Sequence, residues 1–261
     1  MLRMSLLALL SGNIFLATSQ AGLAADMRNR APIYKTAAVE DNWTGFYIGG
    51  HAGYGWGAKN MDGLETGPAP IIELLPYSNE ISPKGALGGA TLGYNWQKGF
   101  WVTGIEADIS LANIRGSGVQ ASLFSPLGAL TGQQAEASQT MNWFGTVRGR
   151  LGFTPSAGTL VYATGGLAVG DMNYSSEWYV SNTIQYPSAE NKTKFGWVLG
   201  VGAEWLVVGN WSLKTEYLHY DLGKHTVSFS DATFAANGAS LEATFKNHDD
   251  IVRMGINYRL D

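Results

Sequence analysis

From Trp43 onward the chain alternates apolar and small-or-polar residues in short runs, the period of a strand whose successive side chains face opposite sides. In residues 44–57 one row is Thr44, Phe46, Ile48, Ala52, Tyr54 and Trp56, against Tyr47, His51 and glycines. The same two-row pattern recurs over 84–97, 101–113, 139–153, 159–170, 195–206, 211–221 and 249–260. It predicts eight strands. In 101–113, for example, Trp101, Ile105, Ile109 and Leu111 oppose Glu106 and Asp108; in 139–153, Met141, Trp143, Val147 and Leu151 oppose Arg148 and Arg150.

The connections alternate in length. Segments 58–83, 114–137, 171–194 and 223–247 are long, whereas the turns near Lys98–Phe100, Thr154–Gly158 and Val207–Asn210 are tight. Long loops at one end and tight turns at the other are the mark of an up-and-down transmembrane barrel. The predicted class is therefore an all-β, eight-stranded antiparallel barrel with short periplasmic turns and four long extracellular loops.

Two features set a membrane barrel apart from a soluble barrel or sandwich. Aromatic residues of the apolar row gather beside the short turns: Phe46, Trp96, Trp101, Phe153, Trp205, Trp211 and Tyr258. Rings at one height suit the headgroup level of a bilayer. The ionisable residues Glu106, Asp108, Arg148, Arg150, Glu204, Lys214, Glu216, Arg253 and Arg259 all have the opposite parity. That parity points them to the lumen, since a cation on the lipid face costs ~2–4 kcal/mol at midplane. Buried charges require partners, so these nine read as a structural network of ion pairs. A weak, narrow pore lining is the alternative.

Composition fits: 34 glycines, 12% aromatic residues, 15% charged residues and no cysteine. There is no thiol for a disulfide or a thiolate metal site. A net charge of −4 without a basic block gives no footprint for nucleic acid. Residues 1–24 carry Arg3, an apolar stretch from Leu6 to Leu16, then Gly22 and Ala24 at the −3 and −1 positions, the layout of a secretory signal peptide. Residues 25–42 read as a periplasmic arm and 43–261 as the barrel.

Catalytic signatures such as GxSxG, HExxH or a Walker sequence do not occur. No enzyme activity and no cofactor is expected. His219 with Asp221 is an incomplete fragment of a lipid-modifying site, and His51 has lumen parity. His225 and His248 bracket the fourth loop and are the candidate residues of a haem- or ligand-binding reading. Loop apolar residues, among them Ile71, Leu74, Tyr174, Trp178, Tyr186, Phe229, Phe234 and Phe245, suit either a contact surface or packing in strands that continue past the membrane.

The arm ADMRNRAPIYK with WTGFYIGGHAGYGWG, then FGTVRGRLGF, LVYATGGLAVG, and VRMGINYRL resemble, in order, the outer-membrane immunogenic proteins of alpha-class Gram-negative bacteria. The most specific pieces are GWxxGxGxEW, from Gly196 to Trp205, and KxEYxxxDLG, from Lys214 to Gly223. The resemblance implies a porin-like eight-stranded barrel in the outer membrane: a surface antigen supporting envelope integrity. It also implies lipid, lipopolysaccharide and peptidoglycan-linked layers as partners, and the barrel-assembly machinery acting on the C-terminal strand. Haem binding, described for some relatives, maps onto no residue pattern here. The chain ends Leu260–Asp261 where such barrels usually end in an aromatic residue.

Overall fold

The computed structural model describes residues 42–57, 59–67, 77–120, 123–125, 128–130, 133–180, 183–229, 236 and 238–260. The leader expected over 1–24 and all of the arm except Asn42 lie outside the described residues. No described helix is long and apolar enough to cross a membrane. The described chain is almost wholly strand.

Eight strands form a ring: β1 (Gly45–Trp56), β4 (Lys84–Lys98), β5 (Trp101–Gln120), β8 (Gln133–Ser156), β9 (Thr159–Val180), β10 (Thr183–Val208), β11 (Trp211–Phe229) and β12 (Ser240–Leu260). Each pairs antiparallel with the next, and β12 pairs with β1 from Phe46↔Leu260 to Trp56↔Asp250, which closes the ring. Two hairpins stand between ring strands: β2 (Lys59–Thr66) with β3 (Tyr77–Ile81), and β6 (Leu123–Ser125) with β7 (Gly128–Leu130). The tight turns carry Gly99, Gly158 and Gly209 at φ of 61°, 70° and 55°. This left-handed backbone is costly for residues with a Cβ.

Ring strands far outrun the membrane. A crossing takes about 9–11 tilted residues, whereas β8, β9 and β10 have 24, 22 and 26. Much of the chain expected as loop therefore continues as wall, in an outer storey. There β12 exchanges its β1 partner for β2, through Ser240↔Thr66 to Thr244↔Asp62. The Gly57 amide donates to the Pro83 carbonyl where β1 and β4 end.

The boundary between membrane wall and outer storey is written in β12. Its outward row runs Ser240, Glu242, Thr244, Lys246, His248, Asp250, then changes to Val252, Met254, Ile256 and Tyr258. Register irregularities fall at the same boundary: Leu111/Ile114, Met141/Trp143 and Asp221/Lys224. A bulge adds a residue and resets which side chains face inward. Met141, expected on the outward row with Trp143, is consequently buried, because Asn142 is bulged out between them.

Candidate functional site

The interior of the ring is layered. At the inner end Trp43, Val102, Leu160 and Tyr162 form a small apolar layer. Toward the outer rim a larger one includes Leu87, Met141, Phe144, Val198, Leu218, Tyr220, Leu222 and Ile251. Between them lies the charged layer.

Four carboxylates and four cations are packed there, all buried: Glu106, Asp108, Glu204 and Glu216 with Arg148, Arg150, Lys214 and Arg253. Alternation on five strands delivers them, two from β5, two from β8, one from β10, two from β11 and one from β12. Glu106↔Arg148, Glu204↔Lys214 and Glu216↔Arg253 are directly opposite in register. The contacts also cross the lumen. Arg148 pairs with Glu106, with Asp108 at 3.0 Å and with Glu216 at 3.3 Å. Arg253 reaches Glu216 at 2.7 Å and Asp108 at 3.0 Å. Lys214 donates to Glu106 at 2.9 Å, and Arg150 to Glu204 at 2.9 Å.

Neutral donors occupy further acceptor positions. Tyr47 donates to Glu106 at 2.7 Å, Tyr162 to Glu216 at 2.8 Å and Thr146 to Asp108 at 2.6 Å. Ser212 and Asn257 donate to Glu204 at 2.6 and 2.8 Å. The Arg150 guanidinium lies 4.1 Å from the centroid of Tyr162. His51 bridges Thr91 at 3.0 Å and Ser110 at 2.7 Å, an interior position in keeping with its parity. Glycine supplies the space for these large groups: a Cβ on Gly93 would come 2.3 Å from the Tyr47 ring, and on Gly202 2.6 Å from Tyr162.

Arg259 departs from the expectation. It stands half-exposed at the inner mouth, donating to the Asn42 carbonyl. The strict alternation of β12 lapses over its last three residues, so parity there no longer places a side chain in the lumen.

On the outside, Phe46, Trp96, Trp101, Phe153, Trp205 and Trp211 are all exposed, and Tyr258 is half-buried against Trp211 at 4.9 Å between ring centroids. Tyr94 joins this belt, 4.6 Å from both Phe46 and Trp96. A second belt, at the outer edge of the apolar rows, comprises Trp56, Trp143, Phe195 and Trp197. Sequence reasoning did not single it out, although Trp56 and Phe195 end their alternating rows at that other end. Trp197 and Trp205 are eight residues apart, about 20 Å of height at ~3.3 Å per residue and ~40° tilt, close to the ~25 Å apolar band of such barrels.

The histidines form no common site. His225 lies on the inner face of the outer storey, 2.8 Å from Glu190 and stacked on Tyr174 at 4.6 Å. His248 belongs to the outward row of β12. The wall separates them, so no single haem iron takes both as ligands. His219 meets Asp250 at 2.8 Å rather than Asp221, which accepts the Gly223 amide at 2.7 Å. Among the described residues no group of three His, Cys, Asp or Glu is arranged to hold a metal ion. Of the expected loop apolar residues, Tyr174 and Phe245 are buried against each other, 5.0 Å apart. Residues 71–76 and Phe234 lie outside the described residues, and the side chains of Tyr77, Trp178, Tyr186 and Phe229 also fall outside the description.

Comparison of the sequence with known proteins is consistent with this architecture. The family model described as outer membrane protein beta-barrel domain matches residues 31–247. The 31 kDa outer-membrane immunogenic protein of Brucella melitensis is 37% identical over 240 residues, covering 91% of this chain and 92% of that protein. The 22 kDa outer membrane protein of Rhizobium leguminosarum is 27% identical, covering 74% and 71%. Among solved structures, the outer membrane protein OprG from Pseudomonas aeruginosa aligns with a TM-score of 0.47 at 12% identity, covering 85% of this chain and 99% of that one.

Proposed function

Since the chain belongs to the outer membrane protein beta-barrel family, and so resides in the outer membrane, we propose that it acts there as a structural, surface-presenting wall protein rather than as a conduit. One observation carries the reading: the charged layer is balanced, four carboxylates against four cations, and lies between two apolar layers. Eight strands enclose a space just wide enough for side chains to fill. At the inner end, among Trp43, Tyr47, Asn95 and Glu204, there remains a pocket of only about 10 Å³. A pore needs a continuous wet path, and paired ions under an apolar lid do not provide one.

The outer storey supports the surface role, since it presents long stretches of wall beyond the apolar band. The relatives' names as immunogenic proteins agree with an antigen at the cell surface and speak for no enzyme activity. Lipopolysaccharide and peptidoglycan-linked layers are the proposed neighbours, with barrel-assembly machinery acting on β12, the strand that closes the ring.

Planar-bilayer recording of the purified protein tests the reading. The expected trace is free of stable ohmic steps. Steps whose size changes in Arg148→Gln or Glu106→Gln would overturn it.

A further inference from the structure

On the outer wall, Lys84 of β4 and Arg115 of β5 stand directly opposite each other in register, and both are exposed. Like charges so placed repel and destabilise a sheet. Neither forms an ion pair with another described residue. The nearest acid on the same rung is Asp250, on the far side of Trp56. Asp250 is already engaged by Tyr217 at 2.6 Å and His219 at 2.8 Å.

Their height is as distinctive as their charge. Lys84 stands next beyond Ala86, where the small and apolar outward row of β4 begins, and Arg115 follows Leu111 and Asn113 on β5. Both cations are therefore at the headgroup level of the outer leaflet. Below them Ala86 lies beside the exposed Tyr54, and then the wall is low, with Gly88 and Ala90 on β4 beside Ala52 and Gly50 on β1. Leu111 and Ile109 rise on one flank, 78% and 59% exposed, and Met254 and Ile256 on the other. The trough opens, past Ala90, into a lipid-facing hollow of about 850 Å³.

We propose that Lys84 and Arg115 together grip a phosphate of an outer-leaflet lipid whose acyl chain lies in the trough beneath them. Opposed Cβ atoms about 5 Å apart let two cations share one phosphate, and the guanidinium fork suits its oxygens. The bound anion removes the repulsion, and the small residues admit a chain against the backbone. The proposal rests on the outer-membrane reading and gives it a specific lipid contact.

Native mass spectrometry from detergent micelles tests it, with bisphosphorylated lipid A, its dephosphorylated form and inorganic phosphate as probes. Lipid A should bind wild type, and the affinity should fall about thirtyfold in Lys84→Gln/Arg115→Gln, the equivalent of ~1 kcal/mol for each lost cation. Lys98→Gln, at the inner end of the same strand, should leave binding unchanged. Gly88→Leu, where a Cβ meets only the His51 carbonyl at 3.4 Å, should weaken lipid A by filling the trough. Equal lipid A binding by the double variant, or equal binding of dephosphorylated lipid by wild type, would overturn the proposal. So would full competition by inorganic phosphate, which would reveal a site for free anions, and so would an unaffected Gly88→Leu. The dephosphorylated arm needs only wild type and holds even where a variant does not fold. Migration differing between heated and unheated samples reports the barrel separately, so loss of that shift in wild type would refute the fold reading instead.

Discussion

Replacing Arg148 by leucine removes a guanidinium that meets three carboxylates at once: Glu106, Asp108 at 3.0 Å and Glu216 at 3.3 Å. Its side chain is fully buried, as are those of Asp108 and Glu216, so water cannot replace it. The layer would change from four anions and four cations to four and three. Breaking a buried ion pair from one side costs about 3–5 kcal/mol, mostly through the charge left uncompensated. Adding Glu216→Gln restores the balance and keeps the shape of the acceptor for Tyr162, which donates to Glu216 at 2.8 Å. The double variant should then be more stable than the sum of the single losses, with a coupling energy of about 0.5–3 kcal/mol. Urea titration in detergent micelles, read by tryptophan fluorescence and by the unheated band in gels, gives all four corners of the cycle. A loss below ~1 kcal/mol for Arg148→Leu, against the range for a broken buried pair, would refute the reasoning. Strict additivity would refute it too.

Two other outcomes follow from the same geometry. Leu199→Arg, exposed within the apolar band of β10, should cost about 2–4 kcal/mol and hinder assembly, whereas Thr193→Arg, exposed beyond Phe195 on that strand, should be nearly neutral; equal outer-membrane yields would misplace the band edge. In the outer storey, hydrogen bonding from Lys192 and then from His225 holds the Glu190 carboxyl below the usual carboxylate range. A lowered native pKa stabilises above the unfolded value, and that contribution is lost as pH falls through the native one. Hydrogen exchange of residues 188–194 should therefore show less protection on acidification below the ordinary carboxylate range, and constant protection would count against the contact.

The membrane wall was legible because one side of each strand meets lipid and the other a crowded interior, so that parity carries the whole assignment. The same parity located the eight charges of the inner layer but not the pairs that cross the lumen. Arg253 and Asp108 are 145 positions apart, and only closure of the ring brings them together. Bulges defeat parity locally, as at Met141. The outer storey stayed one of two readings of the loops because its outward residues are Ser138, Thr140, Asn173 and Ser175, polar groups that look like loop until the inward Ala137, Met172 and Tyr174 are seen packing. The apolar lid was likewise hidden: Leu218 and Tyr220 share the row of Lys214 and Glu216, and a fixed polar label for that row conceals the change of layer.

Among the described residues, closure by β1 and β12 has no counterpart higher up. Among the described residues no ladder joins β3 to β5, although Gly116 and Gly118 let them approach closely, with Pro83, Ile81 and Glu80 against the two glycines. A cylinder has no free margin, but a slit cylinder has two. Unzipping by heat, denaturant or protease thus begins at that slit and runs down toward the lipid. The embedded ring, having no end from which to peel, stays whole after the crown above it has frayed.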